Sequence, residues 1–442
     1  MDAAKSRSDA PALAWPAPAQ GWYVAALLAL ASIVSQFDRT VVNLTIGPLK
    51  AAFRLDDTHF GLLQGAAFGI FYVLACVPIG RLADRYQRRL IIAVGLALFS
   101  PFSMGSGLAR NYLQLFLTRV GVGVGEASLT PAGFSMLSDM FAPERLGRPV
   151  GFFLMSAPVG QGLAFIIGGA LLQWLTTSQV LASGPLSSFA PWQAAFVIVG
   201  FPGLLLVPLF LLVREPERRG PGESAPLPFR EVLAVVGSRG AALAPMFAGF
   251  AMVALVSYAF FIWTPALFQR TYGWTPAQVG LGFGLILIVF GASGAFFGGW
   301  MSDRLARRGH LDAPLKVAAF GFVGCGLFGA LAPLMPTGPA ALAMLAPAIF
   351  LGNTPYAFAG TAIQLIVPNR ARAKVSALYI TLTTLVGLSV GPVVVGLMTD
   401  HLFRNPADIR YSLAIVVGLP APVMFALLLF ACRPFRALRV AP

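Results

Sequence analysis

The sequence predicts an all-α polytopic membrane protein with twelve transmembrane helices, arranged as two parallel repeats of six. Three observations support this fold class: apolar runs long enough to cross a bilayer, a one-sided distribution of basic residues, and a loop motif that occurs twice. Of the 442 residues, 57% are hydrophobic and only 11% are charged, against roughly 25% charged residues in soluble domains. This composition excludes a soluble enzyme.

The apolar runs recur along the whole chain, and each is long enough to cross ~30 Å of hydrocarbon as a helix. Helices are expected because lipid offers no hydrogen-bond partners to a free backbone. The twelve predicted spans lie near residues 22–46, 60–83, 88–109, 112–140, 147–175, 191–213, 240–269, 275–302, 314–335, 339–367, 372–400 and 411–432.

The formal charge of +14 indicates topology rather than a nucleic-acid partner. With the N-terminus inside, 23 of the 31 Lys and Arg residues fall on cytoplasmic segments. This bias predicts that both termini are cytoplasmic. The Arg-rich, Lys-poor composition indicates a bacterial inner membrane. Six basic residues lie on the predicted outside: Lys50, Arg54, Arg110, Arg270, Arg404 and Arg410.

The chain divides into a tail, two bundles and a linker. Residues 1–20 are expected to form a disordered cytoplasmic tail, because they run into a long span rather than a short signal core. A first six-helix bundle is predicted over 21–213, a cytoplasmic linker over 214–239 and a second bundle over 240–435. The three cysteines show neither pairing nor metal spacing. No metal or cofactor is expected, and we expect a monomer.

A repeated loop is the strongest signal in the sequence. Gly80-Arg-Leu-Ala-Asp84-Arg85-Tyr-Gln-Arg88-Arg89 aligns without a gap with Gly299-Trp-Met-Ser-Asp303-Arg304-Leu-Ala-Arg307-Arg308. Both copies fall on the same side, as in transporters whose parallel halves rock about a midplane site. A glycine lets helices approach closely, and an aspartate can cap a helix or pair with arginine. We expect conformational gating by Gly80, Asp84, Arg85, Arg88, Arg145, Arg148, Gly299, Asp303 and Arg304.

This loop resembles the signature of the major facilitator superfamily, which implies the major facilitator fold. The chain also resembles the Spinster branch over roughly residues 25–435. The segments that carry this likeness are Phe37-Asp38-Arg39, Thr118-Arg119-Val-Gly121-Val-Gly123-Val-Gly125-Glu126, Leu137-Ser-Asp139-Met-Phe-Ala-Pro143-Glu-Arg145 and Ala157-Pro158-Val-Gly160-Gln-Gly162. The resemblance implies a lysophospholipid or sphingoid phosphate substrate and proton coupling. An Asp-Arg pair in the first span also occurs in organic-anion symporters.

Four charged residues lie well inside the predicted spans: Asp38, Arg39, Arg119 and Glu126. Intramembrane charges are costly and therefore functional candidates. At about 1.5 Å per residue, Asp38 and Arg119 lie at similar depths and can pair if the first and fourth spans touch. Glu126 lies deeper in a Gly-rich helix, where burial disfavours the charged form. Glu126 is thus the first candidate for the proton-coupling site, and Asp38 is the second.

Arg39 and Arg119 are predicted to bind an anion, because guanidinium matches phosphate and carboxylate oxygens bidentately. An alternative remains open, in which the four charges form a static network that only holds the first and fourth spans together. The second half offers no matching charges in its predicted spans. Its candidate substrate-binding residues are Tyr258, Trp263, Asn353, Tyr356, Gln364 and Thr381.

Pairing a charged half with an apolar half favours an amphiphilic substrate over a sugar. The sequence therefore predicts a proton-coupled transporter of a lysolipid-like molecule, working by alternating access among membrane lipids. A proton-linked symporter of a small organic anion, such as a sugar acid, is the alternative. A membrane enzyme that modifies lipids would need a nucleophile, metal set or paired acids near the interface. The sequence offers none of these, so we expect no enzymatic activity.

Overall fold

The computed structural model of the protein describes residues 15–178, 181, 187–219, 228–355 and 358–440, and these residues fold almost entirely into helices. Eleven helices of the described chain are long and apolar enough to cross a membrane. The all-helical fold predicted from the sequence is confirmed. The eleven helices are spans 1 (Pro18–Leu44), 2 (Asp57–Arg85), 3 (Arg88–Leu108), 5 (Gly147–Thr177), 6 (Pro191–Leu211), 7 (Gly240–Thr271), 8 (Pro276–Arg307), 9 (Ala313–Leu334), 10 (Gly338–Ile366), 11 (Asn369–Phe403) and 12 (Pro406–Arg439).

Span 4 completes the set of twelve, but it consists of two helices, Tyr112–Glu126 and Leu129–Met140. Between them, the Ser128 backbone N–H and hydroxyl both donate to the Gly125 carbonyl, at 3.3 and 2.9 Å. The break lies where span 4 touches span 3, since a Cβ at Gly125 would lie 2.7 Å from the Gly95 carbonyl oxygen. Glu126 is therefore the last residue of a half-helix.

Two predicted boundaries differ from the structure. Residues 18–20, predicted as tail, begin span 1, because Pro18 occupies the first helical turn, where proline is favoured. Residues 1–14 lie outside the described chain. The predicted linker contains a ten-residue helix, Phe229–Ser238. Residues 220–227 of that linker also lie outside the described residues.

Glycines bring the two halves together at one end of the bundle, here called the far end. In the contact of spans 2 and 11, a Cβ at Gly61 would lie 2.7 Å from the Pro392 carbonyl oxygen. In that of spans 5 and 8, a Cβ at Gly280 would lie 2.1 Å from the Phe165 carbonyl oxygen. Only glycine permits backbones to pack this closely.

The opposite end, which carries the repeated loops, is here called the basic end, and there the halves are apart. Within the described chain, nothing beyond the local helix lies within 4 Å of a Cβ built at Gly80 or Gly299. Asp84 and Asp303 are exposed. The bundle is therefore closed at the far end and open at the basic end.

We expect the substitution Gly280→Ala to open the far end, because its methyl group would meet the Phe165 backbone and cannot be accommodated without separating spans 5 and 8. Overpacking of this kind costs about 1–3 kcal/mol. The distance between nitroxide labels at Arg110 and His401, both exposed at the far end, would report this in a cysteine-replaced background.

The matched control is Gly360→Ala, whose new Cβ meets no neighbour within 4 Å among the described residues. It should leave the label distance unchanged. If Gly280→Ala also leaves the distance unchanged, glycine packing is not what holds the far end closed.

Candidate substrate and proton site

Asp38 and Arg119 form an ion pair buried between spans 1 and 4. The Arg119 Nη1 atom lies 2.7 Å from Asp38 Oδ2, and Nη2 lies 3.0 Å from Oδ1. Both side chains are at most 1% exposed. Span 3 completes the shell, because Ser103 donates to Asp38 and Arg119 Nη2 donates to the Ser106 hydroxyl at 3.1 Å. This is the pairing that the depths of the two residues predict.

A second pair joins Arg39 to Glu126 and lies partly exposed. The Arg39 Nη2 atom lies 2.5 Å from Glu126 Oε1, and Nε lies 3.2 Å from Oε2. The guanidinium carbon sits 4.3 Å from the centroid of the Phe68 ring and 5.8 Å from that of Tyr72. These are cation–π distances. The side chains of Arg39 and Glu126 are 18% and 9% exposed, so a solute can reach this pair but not the first one.

The two pairs differ in what they can do chemically. Both terminal nitrogens of Arg119 already donate to buried oxygens. In this conformation an anion therefore cannot reach Arg119, which was predicted to bind one. Arg39 is bound to a single carboxylate at the edge of the internal space. A phosphate or carboxylate could replace Glu126 there and keep the bidentate geometry that guanidinium favours.

Two buried amides connect the Arg39 position to the other half. The Gln64 side chain donates to the Arg39 carbonyl oxygen at 3.3 Å and also to the Asn43 side chain. Asn43 in turn donates to the carbonyl oxygen of Phe261, in span 7, at 3.4 Å. The backbone that carries Arg39 is thereby linked to the contact between the halves.

The predicted residues of the second half are spread over several environments. Tyr258 packs against the hydrophobic core of the first half, Gln364 is exposed and Thr381 is half-buried. Trp263 is fully buried, and its indole N–H donates to the Pro392 carbonyl oxygen at 2.9 Å. In this conformation Trp263 is a packing residue of the far end. Asn353 donates to the Ile349 carbonyl oxygen of its own helix. Tyr356 lies outside the described residues.

Of the predicted gating residues, Arg88 is the most constrained. It is 1% exposed and bonds Asp139, Ser135 and, at 2.8 Å, Glu215. This cluster fixes the segment after span 6 to the basic end of spans 3 and 4. The other gating residues are exposed or half-buried in this open arrangement: Gly80, Asp84, Arg85, Arg145, Arg148, Gly299, Asp303 and Arg304.

Sequence reasoning missed a set of charges that joins the halves at the far end. The Asp57 carboxylate, which is fully buried, binds the two Nη atoms of Arg270 at 2.7 and 2.8 Å and also Lys50. From span 11, Asp400 accepts hydrogen bonds from the Thr58 backbone N–H at 2.6 Å and its hydroxyl at 2.7 Å. We call Asp57, Arg270 and Asp400 the far-end lock. Their position at span ends was the only signal in the sequence.

Next to the lock, Asp56 caps the start of span 2. Partial burial alone would raise the pKa of its carboxyl, but hydrogen bonds from the His59 backbone and ring, together with the nearby Lys50 charge, lower this pKa. Asp56 therefore stays ionised, which favours the helix N-terminus that it caps.

The fold and these residues can be compared with known proteins. Residues 28–392 match the sequence model of the Major Facilitator Superfamily. The chain belongs to this superfamily. As a major facilitator it is a multi-pass membrane protein and a secondary transporter rather than an enzyme, with a small-molecule substrate.

Several known proteins are similar to most of the chain. An MFS-type efflux pump of Mycolicibacterium smegmatis is 30% identical, covering 87% of this chain and 86% of that protein. A probable L-galactonate transporter of Escherichia coli is 27% identical over 86% and 83%. Human protein spinster homolog 1 is 29% identical over 88% and 75%.

Among solved structures, a bacterial homolog of the human lysosomal transporter Spinster matches with a TM-score of 0.76 and 25% identity. The match covers 97% of this chain and 100% of that one, which was solved in an inward-facing and unoccupied conformation. The resemblance to Spinster seen in the sequence motifs is thus confirmed.

The two ion pairs should differ in their contribution to stability. Asp38→Asn leaves Arg119 charged and buried without a carboxylate, which costs about 3–5 kcal/mol. Glu126→Gln frees a partly exposed Arg39 that keeps its aromatic contacts, and we expect a much smaller loss. Thermal denaturation in detergent micelles would measure the midpoint temperature of unfolding for each variant. An equally large drop in this temperature for both variants would favour the static network.

We also expect Arg270→Gln to lower the ratio of molecules closed at the far end to molecules open there by about tenfold. This loss lies between those expected for an exposed and for a buried ion pair. The population of molecules with a long Arg110–His401 label distance should rise. Arg410→Gln removes a cation that contacts Tyr411 within the same half and serves as the control. An unchanged distance distribution in Arg270→Gln would remove Arg270 from the lock.

Proposed function

We propose that this chain is a proton-coupled transporter of an amphiphile with an anionic headgroup, of the lysophospholipid or sphingoid phosphate kind. It would work by alternating access in a bacterial inner membrane, with both termini and the basic end in the cytoplasm. The observation that carries the proposal is the partly exposed, bidentate pair of Arg39 and Glu126.

Coupling follows from competition for Arg39. When an anionic headgroup binds the guanidinium, it displaces Glu126, which is then an unpaired carboxylate within the membrane. Such a carboxylate is strongly disfavoured, so Glu126 takes up a proton. The site has zero net charge before binding and again afterwards, when Arg39 holds the anion and Glu126 is neutral. Substrate and proton thus enter the site together.

The remaining residues would support this exchange. The Asp38–Arg119 pair braces spans 1, 3 and 4 around Arg39, and Asp38 is the second proton-binding candidate. The Gln64–Asn43 amides connect the site to the far end. The apolar second half, with Tyr258 close to Arg39, would accommodate the hydrocarbon chain, and Gln364 and Thr381 would contact polar parts of the substrate.

The similarity to the probable L-galactonate transporter favours a second candidate, a proton-linked symporter of a small organic anion. It would use Arg39 and Glu126 in the same way but would not need the apolar half. Binding of a lysophospholipid panel against a sugar-acid panel separates the two functions.

Flux in proteoliposomes tests the proposed function. The wild type should move a labelled lysophospholipid faster when a pH gradient is imposed, and Glu126→Gln should lose that stimulation. Glu217→Gln, a carboxylate exposed outside the spans, is the matched control and should behave as the wild type. Absence of lysophospholipid flux in the wild type, with or without the gradient, would overturn the lipid substrate.

Binding should also depend on pH, because a proton is taken up with the substrate. Affinity for a lysophospholipid should increase as the pH falls, and Glu126→Gln should bind with no such dependence. Arg39→Gln should bind about 10–100-fold more weakly, as expected for a lost hydrogen bond to a charged group. The Cys76 thiol lies one turn after Tyr72 on span 2 and is influenced by the Glu126 charge, so its protection from N-ethylmaleimide would report occupancy.

A further inference from the structure

A narrow apolar cleft lies in the second half, away from the ion pairs, between the basic ends of spans 8, 9 and 10. Its volume is about 390 Å³, and Met301, Leu305, Val317 and Leu351 are among its lining residues. At its edge Phe320 is 63% exposed. Such an opening on an apolar span faces hydrocarbon rather than water.

A second groove of about 520 Å³ lies between spans 9 and 12 and shares the lining residue Phe320 with the cleft. Val323, Leu327, Leu331 and Phe425 line it. From Lys316 to Leu331 the cleft and the groove together form a track roughly 22 Å long at 1.5 Å per residue. One leaflet of the hydrocarbon core is about 15 Å thick, so the track can hold a full acyl chain.

The mouth of the cleft is basic. Lys316 and His310 line it, and Arg307 and Arg308 are exposed beside it. The Lys316 ammonium lies 3.0 Å from Asp312 Oδ1 and 3.4 Å from His310 Nδ1. An ammonium has three donors, so Lys316 keeps one for another acceptor.

Two neighbouring features bear on the mouth of the cleft. The first is that the Asp312 carboxylate does not cancel its positive charge, and the second places it at the level of the lipid headgroups. Asp312, 1% exposed, is shared between Lys316 and Arg436, which lies 3.4 Å away. Trp300, which lies between the cleft residues Phe297 and Met301 on span 8, carries Arg304 over its ring at 5.4 Å. Tryptophan is enriched at the interface of a bilayer.

We propose that this cleft binds an anionic phospholipid. Its phosphate contacts Lys316 and His310, and one acyl chain fills the track over Phe320. The bound chain would fill the space between spans 8, 9 and 10, and it would touch Met301 and Leu305 on the helix that carries the second copy of the repeated loop. This site is separate from the central one and does not depend on the proposed substrate.

Native mass spectrometry of the full-length protein in detergent micelles tests the site. Phosphatidylglycerol and phosphatidylcholine with the same palmitoyl and oleoyl chains are titrated separately. We expect the wild type to retain one phosphatidylglycerol with at least about fivefold preference, the effect of one basic residue at a membrane surface. Lys316→Gln should lose the preference, and Val317→Trp, which fills the cleft, should lose both lipids.

Two further variants separate lipid bound in this cleft from lipid held elsewhere on the protein. Arg81→Gln removes an exposed charge at the same end of the first half and should retain phosphatidylglycerol as the wild type does. Equal loss in Arg81→Gln and Lys316→Gln would mean general attraction to basic residues and would overturn the site. Loss in Arg39→Gln but not in Lys316→Gln would put the lipid in the central site instead. Equal retention of both lipids by the wild type would also contradict the proposal.

Discussion

Charge inside hydrocarbon requires a partner, and this requirement organises the first half of the protein. Span 1 presents Asp38 and Arg39 side by side, and neighbouring residues of a helix point about 100° apart, so they cannot serve the same partner. Span 4 supplies Arg119 and Glu126, two turns from each other. Each arginine therefore has its own carboxylate. One pair is sealed by span 3, and the other remains within reach of a solute.

Much of this arrangement could be predicted from the sequence, because depth in a membrane follows from the rise of a helix alone. That relation put Asp38 and Arg119 at the same depth, and the length of the apolar runs predicted the twelve spans. The partner of Glu126 was not predictable in the same way. Span 4 breaks at Ala127 and Ser128, and a Gly-rich run is equally compatible with a straight, closely packed helix. Glu126 ends the first of the two helices, directly before that break.

The far-end lock could not be predicted for a different reason. Asp57, Arg270 and Asp400 lie in different spans, at their ends, and no periodic pattern relates them. A transporter sequence must also be compatible with more than one conformation. Contacts that form in only one of these conformations therefore leave no recognisable pattern in the sequence. Trp263 illustrates this point: its aromatic, polar-tipped side chain suits a substrate cavity, yet here it joins span 7 to the backbone of span 11.

The uneven distribution of charge between two halves of similar sequence has a consequence for how such a protein can diversify. Both ion pairs, Asp38–Arg119 and Arg39–Glu126, belong to the first half, where a single substitution leaves a charge inside the bundle without its partner. The residues of the second half predicted to contact the substrate, Tyr258 and Thr381 among them, carry no charge whose loss must be compensated. Under the proposed function, mutations that reshape the second half would change which hydrocarbon is accepted, one residue at a time, while the proposed coupling residues of the first half stay unchanged.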